Sequence, residues 1–373
     1  MRIAITGFRG IPARYGGFET FAEELAPRLV KKGHEVTVYA RSHVIDYKKK
    51  YYRGVRIVRL PTIRHKYLDT VAHTFLSVVH SVFQTYDVVL MVNAANSPFA
   101  LIPRLSGKKV VLNVDGIERM RKKWNWLGKV YYLAGEFLAT RLPNRIVSDA
   151  MVMRKYYLDK YHKDSKMIPY GATIGSVSSA ESLKRFGLGT KKYILYVSRL
   201  EPENNAHIVI EAFKLVDTEM KLVILGDAPY ADAYKKQLRK IARSDDRIVF
   251  TGFVFGKGYK EFQSHAYCYI QATEVGGTHP ALVEAMAFGN CVLVNGTPEN
   301  IEVVGDAGLI YEKNDIGSLR GKLQYLIDHE DICSDLGRRA QERANRKYSW
   351  EMVVDEYERL FIETLRKKRA TGK

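Results

Sequence analysis

The chain has three cysteines among 373 residues. Cys268, Cys291 and Cys333 are too few and too scattered for a disulfide framework, and none stands at zinc-ligand spacing. A reduced, cytosolic chain is expected. Long apolar runs are missing too: Ile3 to Thr6 is far too short for the apolar core of a signal peptide, and no uninterrupted apolar stretch approaches a membrane span. Two chemical signatures are also absent. No D-x-D pair offers carboxylates to a divalent metal, and the loop after the first strand lacks the tight G-x-G-x-x-G of a dinucleotide fold. A hydride-transfer enzyme therefore falls to second place.

The chain carries a large excess of charge of one sign, concentrated in one half. Residues 1 to 172 hold 30 Lys and Arg against 13 Asp and Glu, a net +17, which leaves +1 for residues 173 to 373. A strongly basic half is suited to a polyanion, either nucleic acid or an anionic membrane face; solvated surface lysines are the plainer alternative. The length allows two α/β domains, each with a full core, and the apolar and charged fractions are those of a globular protein.

In chain order, Arg2 to Thr6 is a short apolar strand. A glycine-bearing loop follows, then a helix with Phe18, Phe21, Ala22, Leu25 and Leu29 on one face, then a strand from Glu35 to Tyr39. Gly16 and Gly17, just before the helix, would let backbone N–H groups approach a phosphate; Gly17 read by itself is equally an N-cap. Further strands are expected at Val55–Leu60, Asp87–Val92 and Lys109–Val114, with a helix near Leu68 to Gln84 that carries His73 and His80, and a candidate binding loop from Asn93 to Pro98. Asp115 and Glu118 fall just past a strand, where parallel sheets bind ligands. Arg119, Arg121, Lys122, Lys123, Trp124 and Trp126 then head a helix through Val130, Leu133 and Phe137. Basic residues mixed with Trp suit a membrane interface, single-stranded RNA, or an exposed loop leading into a core helix. Tyr170 to Ser179 reads as a linker, after which the alternation of strand and helix restarts at Tyr193. Domains are expected at 1–170 and 171–349, with 350–373 a helix packing back across the hinge.

The most informative stretch is Glu274 to Asn295. A polar loop (Gly276, Gly277, Thr278, His279) enters a short helix from Pro280 closed by Gly289, with a buried strand after it. The helix starts at the carboxyl edge of a sheet, and its N–H groups and positive dipole end suit an anion. Glu284, one turn in, can accept sugar hydroxyls or merely complement the dipole. Upstream, Arg199 leaves a strand and turns through Leu200, Glu201, Pro202, Glu203 and Asn204; its planar fork suits a diphosphate.

The VSRLEPEN turn and PALVEAMA together resemble the retaining two-domain (GT-B) glycosyltransferases of family 4. ITGFRGIPARYGGFETFAEELAPRL and NVDGIERMRKKW resemble its bacterial DUF1972-type subfamily, which moves rhamnose from dTDP-rhamnose in capsule and cell-wall synthesis. The resemblance implies two facing Rossmann-like, doubly wound domains around a cleft, and a metal-independent hexosyltransferase without a cofactor. Its N-terminal half would hold a lipid-linked saccharide acceptor against the inner face of the cell membrane, and its C-terminal half the nucleotide-sugar. The donor set is then Gly16, Gly17, Arg199, Asn204, Gly277, Thr278, His279 and Glu284. The acceptor and membrane set is Glu118, Arg119, Arg121, Lys122, Lys123, Trp124 and Trp126. Asp115 is the candidate base, with a turn cap as its rival role. The family's usual Lys stands as Asn204 here, and the first of its two glutamates, eight residues before Glu284, is Gly276. A nucleotide-sugar epimerase and a basic nucleic-acid-binding protein are the competing readings; no nucleic acid is expected as a partner.

Overall fold

A computed structural model describes residues 1–13, 16–65, 68–121, 124–229 and 231–366. The chain forms two compact units, one of Met1–Tyr170 with Trp350–Lys373 and the other of Gly171–Ser349.

The first unit is built on eight strands: β1 (Arg2–Thr6), β2 (Glu35–Arg41), β3 (Tyr51–Tyr52), β4 (Val55–Leu60), β5 (Val88–Val92), β6 (Lys109–Val114), β7 (Arg145–Ser148) and β8 (Lys166–Met167). They lie in the order β3-β4-β2-β1-β5-β6-β7-β8, all neighbours parallel except β3 with β4. Runs such as VVLMV are apolar on both faces because helices cover both sides of a parallel sheet. Ile3 and Ile5 join one core cluster with Phe21, Leu25 and Leu29 of the helix Gly17–Lys31. Ala4, which points the other way, joins a second with Val89, Met91, Ala139 and Met153. The strand order reverses at β1, so the carboxyl ends of β1 and β5 mark the switch point of this sheet.

The helix Trp350–Arg366 returns to the first unit and completes its core with Trp350, Val353, Tyr357 and Phe361. The Asn113 amide donates to the Tyr357 hydroxyl at 2.7 Å. Asn93 to Pro98 is not an open loop. It forms most of a 3-10 turn, Ala94–Ala100, whose Ala94, Ala95, Asn96 and Ser97 are buried, because the helix Trp126–Ala139 lies on it: the Gly135 carbonyl accepts from Ser97 Oγ at 2.7 Å, and a Cβ on Gly135 would stand 2.9 Å from the Ala94 carbonyl oxygen.

The second unit has six parallel strands: β9 (Tyr193–Val197), β10 (Lys221–Leu225), β11 (Ile248–Gly252), β12 (Cys268–Gln271), β13 (Cys291–Asn295) and β14 (Leu309–Tyr311), in the order β11-β10-β9-β12-β13-β14. Each face has its own core cluster. The three cysteines, scattered in sequence, meet in this unit. Cys268 and Cys291 are partners in register on β12 and β13, and Cys333 reaches Cys291. All three are buried and free. Among the described residues, no helix is long and apolar enough to cross a membrane.

Candidate active site

In the second unit the strand order reverses at β9, which pairs with β10 on one side and β12 on the other. Arg199 leaves the carboxyl end of β9, and residues 272–279 leave that of β12. Their turn is tightly built. The Arg199 carbonyl accepts from the Asn204 amide at 2.6 Å and from the Glu201 N–H at 2.7 Å, and Tyr196 donates its hydroxyl to the Asn204 carbonyl at 2.5 Å. Asn204 is buried, so its side chain serves the turn that carries Arg199. Arg199 keeps a partly exposed guanidinium, 3.7 Å from Glu201. Gly226, just past β10, was missed in the sequence. It holds φ +130°, and a Cβ there would lie 1.9 Å from the Ser198 carbonyl oxygen, so only glycine admits the Ser198–Arg199 backbone this close.

Residues 272–279 are fixed by asparagines. Asn205 and Asn295 both donate to the Ala272 carbonyl at 3.0 Å, Asn300 donates to that of Thr273, and Asn314 donates to Glu274 Oε2 at 2.7 Å. Gly277 and Thr278 are buried where this segment meets the helix Pro280–Ala287, whose N-cap residue His279 makes no side-chain cap hydrogen bond among the described residues. The first N–H groups of a helix have no partner within it. Glu284 accepts from the Tyr259 hydroxyl at 2.6 Å, and Gln263 donates to the same hydroxyl at 2.8 Å. Burial and the Glu284 charge hold the Tyr259 phenol well above its ordinary range, so it stays a donor and fixes one carboxylate oxygen. The His279 ring lies over Gly276: a Cβ there would meet Cε1 at 2.4 Å, and the imidazole fills the place a longer side chain would take.

In the first unit Asp115 follows β6 and Asp149 follows β7, and the two strands run in register with Val114 opposite Ser148. Two carboxylates thus leave adjacent strands at one edge. Asp115 accepts from the Gly116 N–H at 2.8 Å, the cap foreseen as its rival role. Burial, with the Glu118 charge next, pushes its carboxyl above the usual range, against the opposing pull of Gly116, Arg121 and a hydrogen bond with Asp149. Asp149 escaped the sequence reading, although its position just past a parallel strand was the same signal that marked Asp115.

The basic, Trp-bearing stretch differs from expectation. Arg121 is buried and donates to Glu118 at 2.7 Å. Arg119 bridges to the buried Glu136 at 3.1 Å, which also accepts from the Tyr156 and Tyr161 hydroxyls at 2.6 and 3.0 Å. Trp124 packs against Tyr132 with ring centroids 4.9 Å apart and the ring planes tilted by 49°. These side chains are engaged within the protein, where a buried carboxylate is held by cations and hydroxyls. Lys122 and Lys123 lie outside the described residues. Among the described residues of the set, Trp126 alone is widely exposed, at 70%. It begins a helix turned inside out: the buried side is Tyr132, Gly135, Glu136 and Ala139, while Trp126, Leu127, Val130, Leu133 and Phe137 face outward.

Gly16 and Gly17 stand at the start of the helix Gly17–Lys31. Gly16 is extended and is the N-cap of the helix. Glu19 in the first turn is buried and accepts from the Arg9 N–H at 3.0 Å, and Glu23 accepts from that of Ala13 at 3.2 Å. The positive end of this helix is already complemented by a protein carboxylate, where a phosphate would meet like charge.

Two doubly wound parallel sheets, each with polar side chains gathered at its carboxyl edge, define a protein of the GT-B fold. HepE of Anabaena, solved with UDP and glucose, superposes with a TM-score of 0.80 at 16% identity over 97% of this chain and 100% of its own. Residues 179–343 match the family described as glycosyl transferases group 1, and residues 1–173 match a domain of unknown function, DUF1972. The C-terminal part of the chain is thus similar to the group 1 glycosyltransferases and the N-terminal part to this domain. N-acetyl-alpha-D-glucosaminyl L-malate synthase of Bacillus anthracis is 28% identical over 49% of each chain, so the match spans about half of that enzyme. The GDP-mannose-dependent alpha-(1-6)-phosphatidylinositol monomannoside mannosyltransferase of Mycolicibacterium smegmatis is 22% identical over 91% of this chain and 93% of its own.

Proposed function

We propose that the protein is a retaining, metal-independent hexosyltransferase that moves rhamnose from dTDP-rhamnose onto a lipid-linked glycan in cell-surface polysaccharide synthesis, at the inner face of the membrane. The observation that carries the donor half is that the partly exposed Arg199 fork and the N-terminus of the helix at Pro280 both follow strands at one switch point. As the sugar leaves, negative charge grows on the diphosphate. A fixed guanidinium and helix N–H groups stabilise that charge without reorganising. Glu284, its second oxygen anchored by Tyr259, faces the sugar. The ring of His279 over Gly276 closes the place where family 4 enzymes are expected to present a carboxylate, and a deoxysugar has one hydroxyl fewer to satisfy. HepE was solved with UDP and glucose, and the mycobacterial relative by its name takes GDP-mannose; both support a nucleotide-sugar here.

In this reading Asp115, with its raised affinity for a proton, orients the acceptor hydroxyl and accepts its proton. The outward apolar face of Trp126–Ala139 on a unit of net positive charge supports docking on an anionic bilayer, where the apolar side chains enter the interface and basic ones meet headgroups.

The test is a thermal-shift panel of dTDP-rhamnose, UDP-glucose, UDP-N-acetylglucosamine and GDP-mannose, since a ligand that binds only the folded state raises its apparent stability. dTDP-rhamnose is expected to give the largest shift, Arg199→Ala to abolish it, and kcat to fall by roughly a hundredfold or more. An Arg199→Ala protein with an unchanged shift and turnover would remove the assignment.

A further inference from the structure

The first unit holds a cavity of about 560 Å³ lined by Ser42, Lys48, Lys49, Lys50, Ile57 and Arg59. Four of these six are cations and none is a carboxylate. Several other cations of this unit are partnered: Arg119, Lys160 and Lys166 all have acidic neighbours. Among the described residues, Lys48, Lys49, Lys50 and Arg59 make no ion pair. Like charges gathered without counter-charge repel one another, at a cost that an arriving anion removes.

The lysines are carried on a braced segment. Tyr47 donates its hydroxyl to the Tyr51 carbonyl at 2.8 Å and sets its ring edge-on to Tyr52 at 5.3 Å. Tyr52 donates at 2.5 Å to Glu23, the same carboxylate that holds the Ala13 N–H. The Lys50 carbonyl accepts from the Ile57 N–H at 2.8 Å. A loop pinned in this way loses little freedom when it binds.

The position is also informative. Arg59 is next to last in β4 and Ser42 is the residue after β2, so the cavity opens at the carboxyl edge, the edge from which Asp115 leaves β6. The intervening order is β4-β2-β1-β5-β6. Three to four strand spacings of about 4.8 Å separate the two, roughly 14–19 Å.

We propose that this cavity binds the phosphate or diphosphate of the acceptor, and that the acceptor is an oligosaccharide whose anionic end lies several sugars from the hydroxyl that Asp115 receives. This rests on the reading that the first unit takes the acceptor.

Inorganic diphosphate serves as probe, titrated by calorimetry into the full chain, into K48Q/K49Q/K50Q and into Arg199→Ala. The lysines are exposed, so glutamine keeps the fold, which circular dichroism checks. Wild type is expected to take up two equivalents and each variant one, the cavity's affinity in the triple variant falling roughly a hundredfold. A triple variant that titrates like wild type overturns the proposal. So does one that keeps diphosphate but loses only vesicles of equal phosphatidylcholine and phosphatidylglycerol, which makes the cluster a headgroup contact, or only a single-stranded oligonucleotide. Nucleotide-sugar binding that survives in Arg199→Ala, while the lysine variant loses its equivalent, would sink the donor assignment and leave the cavity standing.

Discussion

Replacing Gly226 by alanine tests whether the donor-side turn depends on one missing side chain. The new methyl would stand 1.9 Å from the Ser198 carbonyl oxygen and 3.0 Å from its carbon, against an ordinary contact of about 3.5 Å. Relieving that overlap means moving backbone by about 1.5 Å, and such overpacking costs about 1–3 kcal/mol. The φ of +130° adds a conformation that alanine avoids, again about 1–3 kcal/mol. Together about 2–6 kcal/mol is removed from a unit whose whole stability is of order 5–15 kcal/mol. Gly252 is the control: its φ is +68° and nothing lies within 4 Å of its would-be Cβ, so alanine there costs only the left-handed conformation, about 1–2 kcal/mol. The assay uses the distribution of tryptophan. Trp124, Trp126 and Trp350 all belong to the first unit, so fluorescence follows that unit and calorimetry adds the other. Gly226→Ala should lower a calorimetric transition below that of Gly252→Ala, leave the fluorescence transition in place, and weaken nucleotide-sugar binding by displacing Arg199. A Gly226→Ala protein no less stable than Gly252→Ala, with unaltered donor binding, would refute the reasoning.

Asp115→Asn preserves the acceptor for the Gly116 N–H while removing the base, and is expected to lower kcat by about a hundredfold or more in an acceptor-dependent assay; a fully active variant would leave only the cap. Because burial and Glu118 raise the Asp115 carboxyl, the wild-type rate should fall as pH drops through that raised value. The stability sign is opposite to that of a salt-bridged carboxylate: the folded state holds the proton more tightly, so this group's contribution declines as pH rises from the ordinary 3.8 through the raised value. Urea titrations of wild type and Asp115→Asn across that window would read it, and a flat difference would contradict it. On the outward helix, Trp126→Ser with Val130→Asp should weaken flotation with phosphatidylglycerol vesicles by roughly tenfold or more while leaving the melting temperature unchanged, since both side chains are exposed; equal flotation would rule this face out.

The strands were readable because both sheets are parallel and covered on both faces, which writes each strand as an unbroken apolar run bounded by turn residues. The helix Met151–Tyr161 was not: only Met153 and Tyr157 are buried, too few for a periodic face. Glu330–Tyr348 escaped because its buried side is largely small residues such as Gly337, Ala340 and Ala344, which carry little hydrophobic signal. On the donor side the turn around Arg199 and the loop into Pro280 were legible from their Pro, Gly and polar punctuation. Their supports were not, because Tyr259 and Asn314 reach Glu284 and Glu274 from 25 and 40 residues away. The ion pair of Arg119 was hidden in the same way: seventeen residues separate it from Glu136, and in sequence it looks like one more surface cation. The role of Glu19 at the start of the first helix was likewise not legible, because its partner, the Arg9 N–H, lies ten residues upstream.

The return of Trp350–Arg366 to the first unit has a consequence for how the chain is made. Tyr357 and Phe361 lie in the same core as Ile3, Phe21 and Leu90, so a ribosome that has released the entire first sheet has still not released what seals it. The unit formed by Gly171–Ser349 is continuous and can close as it emerges, whereas the one begun first must wait with an apolar face open. The order of synthesis and the order of completion are therefore reversed. A chain shortened before Tyr357 would be defective in the half that was translated earliest.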